Sequence, residues 1–167
     1  RLPDAGIWRP IFLIGGDLAK LDGVYVTQHH HDGAVDLTLD VDAQGFSDAQ
    51  PELTYEVTVT APDGTRYGYD EDAEMVHIAD PQLWWPNGYG AQPLYSVRVE
   101  LYCGPHLLDV WEKRIGLRTM TIHRELDQWG EGFAHQVNGV DVFAMGADYI
   151  PEDNLFTRVD RSKTERL

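Results

Sequence analysis

Asp148, Tyr149, Glu152 and Asp153 bring three carboxyl groups and a phenol into one short run. An ionised carboxylate accepts hydrogen bonds and can act as acid, base or nucleophile, and a tyrosine adds an aromatic face with a polar tip. The run follows an apolar stretch, and barrel folds place their sites at the carboxyl ends of buried strands. The plain alternative is that these residues cap a strand and enter a loop. Cleaving a glycosidic bond needs two carboxyls held a defined distance apart on either side of it. Asp148, Glu152 and Asp153 lie too close along the chain to flank a bond in that way, so no residue is assigned a catalytic role.

Three other groupings invite chemistry. Gln28-His29-His30-His31-Asp32 offers imidazoles, but neighbours in an extended segment point to opposite faces, so three adjacent histidines do not converge on one ion. An exposed turn before Gly33, binding Ni²⁺ or Zn²⁺ adventitiously, is the expectation. Asp70-Glu71-Asp72 lacks the ligand spacing and turn glycine of an EF-hand loop and reads as a solvated loop. Neither a metal nor a cofactor is expected. Trp84-Trp85 with Tyr89 would suit the apolar faces of a pyranose ring, or would bury against the body of the domain while Pro86-Asn87-Gly88 turns the chain.

The elements that must position these groups read as strands. Asn138-Gly139 is a type I′ hairpin signal, since both central residues of that turn need positive φ. It joins 133–137 to 140–144, and the apolar run Val142–Ala147 is expected to be a strand buried on both faces. Upstream, Val35, Leu37, Leu39 and Val41 alternate with Asp36, Thr38, Asp40 and Asp42, and Leu53–Thr60 and Tyr95–Leu101 repeat the pattern. With 24–27, 65–69, 74–78 and 110–117 this makes about seven short strands, the count of an Ig-like β-sandwich. Gly6–Ile14 reads as an extended arm. Asp160 is placed to cap a helix start after it.

Bulk properties narrow the partners. Hydrophobic residues at 43%, including five Trp, eight Tyr and five Phe, allow a full core in 167 residues. A net charge of −15 argues against nucleic acid and anionic membrane surfaces, whose phosphates would repel it. Cys103 is the single cysteine, so neither an internal disulfide nor a thiol-rich zinc cluster is available, and the compartment stays open. The sequence starts at Arg1 without Met, and both ends are expected to be cut from a longer protein.

Pro81-Gln82-Leu83-Trp84-Trp85-Pro86-Asn87-Gly88-Tyr89-Gly90, continuing through Gln92-Pro93-Leu94-Tyr95, resembles glycoside hydrolase family 2, which includes β-galactosidases, β-glucuronidases and β-mannosidases. Gly6-Ile7-Trp8-Arg9-Pro10 is similar to the end of that family's sugar-binding jelly roll, and Ile115-Gly116-Leu117-Arg118 to its sandwich-to-barrel junction. The stretch from Phe133 through Asn138-Gly139 to Ala147-Asp148-Tyr149-Ile150-Pro151-Glu152-Asp153 is most similar to its β-mannosidase branch.

The resemblance implies an all-β chain. Residues 1–15 would end a jelly roll, residues 16–120 would be an Ig-like β-sandwich, and residues 121–167 would open a truncated (β/α)₈ barrel and start its first helix. A complete barrel runs to about 250 residues. The parent would hydrolyse terminal β-mannosides with retention. In the family the acid/base Glu follows an Asn deep in the barrel; no Asn-Glu pair occurs here, so neither catalytic residue is carried over. Contact with a β-linked sugar substrate carries over to Asp148, Tyr149 and Asp153. The family more often has Asn and Trp where Asp148 and Tyr149 stand, and an ionised Asp accepts hydrogen bonds without donating them. In the parent, the chain would pack on the rest of the barrel and on the jelly roll. The rival expectations are a carbohydrate-binding module working through Trp84, Trp85 and Tyr89, and an Ig-like module with no sugar role.

Overall fold

The computed structural model describes residues 6–7, 9–46, 52–150 and 152–166. Trp8 and Pro151, which carry part of the family resemblance, lie outside the described residues, as do residues 1–5 and Leu167. The chain forms two compact units, Gly16–Phe143 and Arg1–Gly15 with Ala144–Leu167.

Among the described residues the larger unit holds every strand: β1 (Ala19–His31), β2 (Ala34–Gly45), β3 (Leu53–Thr60), β4 (Arg66–Gly68), β5 (Val76–Ala79), β6 (Tyr95–Cys103), β7 (His106–Ile115), β8 (Met120–His123), β9 (Ala134–Val137) and β10 (Val140–Val142). Strands β1-β2-β5 form one antiparallel sheet and β4-β3-β6-β7 another. The crossing of the chain from β2 to β3, back to β5 and again to β6 is that of an Ig-like sandwich. Alternation drives the assembly. Val35 and Leu37 of β2, Val57 and Val59 of β3, Val76 and Ile78 of β5, and Tyr95, Val97 and Val99 of β6 fill the space between the sheets. Each such side chain contributes about 1.5–3 kcal/mol by leaving water.

Tyr95 opens β6 with its ring buried and its hydroxyl accepting a hydrogen bond from the Gln82 amide at 2.9 Å. Burial pushes its phenol pKa up. A tyrosine at the start of this strand, bonded to backbone upstream, is a hallmark of Ig-like sandwiches.

Strands β8, β9 and β10 make a third, small antiparallel sheet in the order β10-β9-β8. Its hairpin turns at Asn138 (φ 50°) and Gly139 (φ 79°), with Val137 opposite Val140, as the Asn-Gly pair predicts.

Two expectations are corrected. The histidine run is not a turn: it completes β1, paired with β2 through His31↔Ala34, and the turn is Asp32-Gly33. His29 and His31 face solvent while Gln28 and His30 face inward. The strand expected over Val142–Ala147 ends at Val142, and Phe143 and Met145 are each 79% exposed. A strand buried on both faces needs a hydrogen-bonded neighbour on each edge, and none of the described strands pairs with 143–150.

In the smaller unit, the described residues from Gly6 to Gly15 form no strand or helix. A 3₁₀ turn at Phe156–Arg158 leads to the short helix α1 (Arg161–Thr164). Asp160 caps α1, its carboxylate accepting from the Lys163 amide at 2.9 Å, and that bond holds its pKa below the usual range.

Candidate functional site

The segment Ile115-Gly116-Leu117-Arg118, where β7 leaves the sandwich, is held by side chains far away in sequence. Gln28 on the inner face of β1 donates to the Gly116 carbonyl at 3.2 Å and accepts from the Arg118 amide at 3.1 Å. Its amide thus serves the departing backbone as a neighbouring strand would. Leu117 is fully buried, and its carbonyl accepts from the Trp84 amide at 2.9 Å.

Trp84 lies against Gly116 so closely that a Cβ there would come 2.7 Å from its Cγ, which explains the glycine. The Arg118 guanidinium sits 4.7 Å from the centre of the Trp84 ring, within cation–π range. Asn138 closes the arrangement: its Oδ1 accepts from the Thr119 amide and its Nδ2 donates to the Trp84 carbonyl, both at 3.0 Å. Trp85 packs in the same manner on Gly90, where a Cβ would meet its ring at 2.9 Å. The Tyr89 hydroxyl accepts from the Phe143 amide at 3.2 Å. Of the two roles open to these aromatics, the geometry matches packing. Both tryptophans are half-buried, each with a glycine beneath its ring.

The acidic run lies in the smaller unit. Asp148 is exposed and Tyr149 is 59% exposed. The Tyr149 hydroxyl donates to Glu152 Oε2, and Glu152 Oε1 accepts from Thr164 Oγ1 at 3.0 Å. Asp153 accepts from the Leu155 amide at 2.9 Å and from Lys163 Nζ at 3.3 Å. The Leu155 bond, then the lysine, lowers its carboxyl pKa. Glu152 and Asp153 thus tie the run to α1, while Asp148 and the face of Tyr149 stay open to solvent. Tyr149 and Glu152 are brought together by the bond between them. The Gln28 and Asn138 bridges escaped sequence reasoning, because polar contacts spanning 88 and 54 residues leave no spacing signal.

Comparison with known proteins places this geometry. The family described as glycosyl hydrolases family 2 matches residues 19–118, which is the sandwich with its exit segment. β-Mannosidase B of Emericella nidulans is 30% identical over 95% of this chain and 20% of its own length. β-Mannosidase B of Thermothelomyces thermophilus is 42% identical over 52% of this chain and 10% of its own. The crystal structure of β-D-mannosidase from Dictyoglomus thermophilum superposes with a TM-score of 0.72 at 25% identity, over 90% of this chain and 20% of that one. The β-glucuronidase of Ruminococcus gnavus shares the fold, with a TM-score of 0.56 at 18% identity over 77% of this chain and 19% of its own. The chain therefore spans about a fifth of the length of the curated relatives that it matches along most of its sequence. It belongs to the glycosyl hydrolases of family 2, where its relatives are β-mannosidases.

Proposed function

We propose that this chain is the spacer and support region of a retaining exo-β-mannosidase, joined to the opening of its catalytic barrel. The observation that carries this reading is the reach of the likeness. It covers 95% of the chain in a β-mannosidase B, past the sandwich, through the Asn138-Gly139 hairpin and into the acidic run. The division is the one the sequence implies: residues 1–15 end a jelly roll, 16–120 form the Ig-like domain, and 121–167 open the barrel. The exposure of Phe143, Met145 and Ile150, at 79%, 79% and 83%, supports this, since such a run gains most from further barrel strands beside it.

In the longer enzyme, two carboxyls supplied from outside this chain cleave a terminal β-mannoside by double displacement. One protonates the leaving oxygen, and the other attacks to form a glycosyl-enzyme that water then opens. This chain contributes one rim of the sugar pocket. Asp148 accepts a hydrogen bond from a sugar hydroxyl, Tyr149 lies against the ring, and Asp153, tied to Lys163 and the Leu155 amide, completes the edge. A hydrogen bond to a charged acceptor contributes about 1.5–3 kcal/mol, or roughly 10–100-fold in binding.

The test is kinetic. In the longer enzyme, Asp148→Ala and Tyr149→Ala should each raise KM for an aryl β-D-mannoside at least tenfold, and the isolated 167-residue chain should release no aglycone. Turnover by the isolated chain that disappears in Asp148→Ala or Asp153→Ala would refute the reading, as would a longer enzyme that prefers aryl β-galactosides.

A further inference from the structure

We propose that His31, Asp36 and His77 form a binding site for a borderline transition-metal ion, Zn²⁺ foremost, on the outer face of the β1-β2-β5 sheet. The three ligands come from three neighbouring strands, and strand register brings them together. Asp36 of β2 stands directly opposite His77 of β5 on one side and His29 of β1 on the other, and His31 is the next outward residue along β1. All three point away from the core, because Val35, Leu37, Val76 and Ile78 beside them point into it. The meeting of these side chains therefore follows from pairing and pleat.

The Asp36 carboxylate is the hub. Its Oδ2 lies 2.8 Å from His31 Nε2 and its Oδ1 lies 2.6 Å from His77 Nδ1. The two imidazoles stack with centroids 6.1 Å apart, and the ligand atoms of all three residues fall within 4.8 Å of one another. Tetrahedral zinc with Zn–N and Zn–O bonds near 2.0–2.1 Å needs its ligand atoms about 3.3 Å apart. Small rotations of the imidazoles reach that spacing, and both have room: the side chains of His31 and His77 are 48% and 58% exposed.

Chemistry selects the ion. Two imidazole nitrogens and one carboxylate suit Zn²⁺, Ni²⁺ or Cu²⁺ and leave a position for water, whereas Mg²⁺ and Ca²⁺ call for oxygen ligands throughout. His29 is engaged with Thr38 Oγ1 at 3.2 Å and is not needed. Bound there, an ion would cross-brace all three strands of the sheet.

The experiment uses the 167-residue chain without a histidine tag, titrated calorimetrically with Zn²⁺ and with Mg²⁺. One Zn²⁺ per chain is expected, with no response to Mg²⁺ and a Tm rise of about 5–10 °C at free Zn²⁺ a hundred times Kd. Co²⁺ should give the intense visible bands of a tetrahedral site. His77→Ala, His31→Ala and Asp36→Asn should each weaken binding at least tenfold, while His106→Ala, on the far hairpin, should leave it unchanged. Absence of Zn²⁺ binding overturns the proposal, and so does binding that survives both histidine substitutions, which would mark an adventitious ion. None of these readouts depends on glycosidase activity, so the site stands or falls apart from the mannosidase reading.

Discussion

Asn138 performs two separable tasks, and substitution can price each one. Its backbone holds φ at 50°, a conformation that costs an L-residue with a Cβ roughly 1–2 kcal/mol and that Asn tolerates better than most. Its side chain joins the Thr119 amide to the Trp84 carbonyl, and each of these bonds contributes about 0.5–1.5 kcal/mol net. Asn138→Gly abolishes both bonds and adds no backbone cost, for an expected loss of about 1–3 kcal/mol. Asn138→Ala abolishes the bonds and places a methyl-bearing residue in the left-handed region, for about 2–4 kcal/mol. The alanine variant should therefore be less stable than the glycine variant by about 1 kcal/mol.

Asn138→Asp separates the two bonds. It keeps an acceptor for the Thr119 amide but turns a second oxygen toward the Trp84 carbonyl, so it should be no more stable than the glycine variant at neutral pH. Urea unfolding followed by tryptophan fluorescence reads the order directly, as Trp84 is one end of the contact. Equal stabilities for alanine and glycine, or a glycine variant less stable than alanine, would refute the division of roles. A loss under 0.5 kcal/mol for every variant would show that the bridge does not hold the third sheet to the sandwich.

Two further outcomes follow from local geometry. Gly116→Ala places a Cβ 2.7 Å from Trp84 Cγ and should cost about 1–3 kcal/mol by displacing that ring, whereas Gly68→Ala, with nothing within 4 Å, should be neutral in the same denaturation assay. The Asp141 carboxylate, 3.0 Å from His123 Nδ1, raises the imidazole pKa above 6.5 and is itself lowered below 3.8. The stabilisation is thus complete below the imidazole's unfolded value, fades as pH rises through its raised value, and is also lost in acid as Asp141 protonates. Asp141→Asn should lower the His123 pKa as followed by NMR, with Glu125, 3.8 Å from Nε2, still holding part of the rise, and an unchanged His123 curve would rule the pairing out.

The sandwich was legible because its strands are wet on one face. Along β2 and β6 every second residue is apolar, and those residues are the ones between the sheets, down to Leu37 and Val99 at 0% exposure. Asn138-Gly139 was legible for a different reason, as few dipeptides tolerate two positive φ angles in succession. The far end of β1 was not, because alternation of inward Gln28 and His30 with outward His29 and His31 is invisible in a run of polar residues. Strand β8 escaped for want of contrast: Met120, Thr121 and Ile122 are all exposed, and its place is set by pairing with β9. The apolar run after Val142 misled in the opposite direction. Hydrophobicity reports what a segment would gain from burial, and whether it is buried depends on strands beside it.

The same distinction settles why a loop so rich in aromatic residues looks like a sugar platform from sequence. A platform needs open ring faces, while a clamp needs bulk together with polar groups that reach backbone, and Trp and Tyr meet both demands. In the structure the Trp84 ring covers Gly116 and its amide and carbonyl hold Leu117 and Asn138, so one residue grips the chain as it enters the third sheet and again at its hairpin. The Tyr89 hydroxyl takes the Phe143 amide just after that sheet ends at Val142. Entry, turn and exit of β8–β10 are thus fixed by one loop of the sandwich. That explains two of the small residues beside the bulky aromatics: Gly90 and Gly116 are the surfaces on which Trp85 and Trp84 rest, and enlarging Gly116 would loosen the sheet that Trp84 secures, while Gly88, at φ 83°, serves the turn itself.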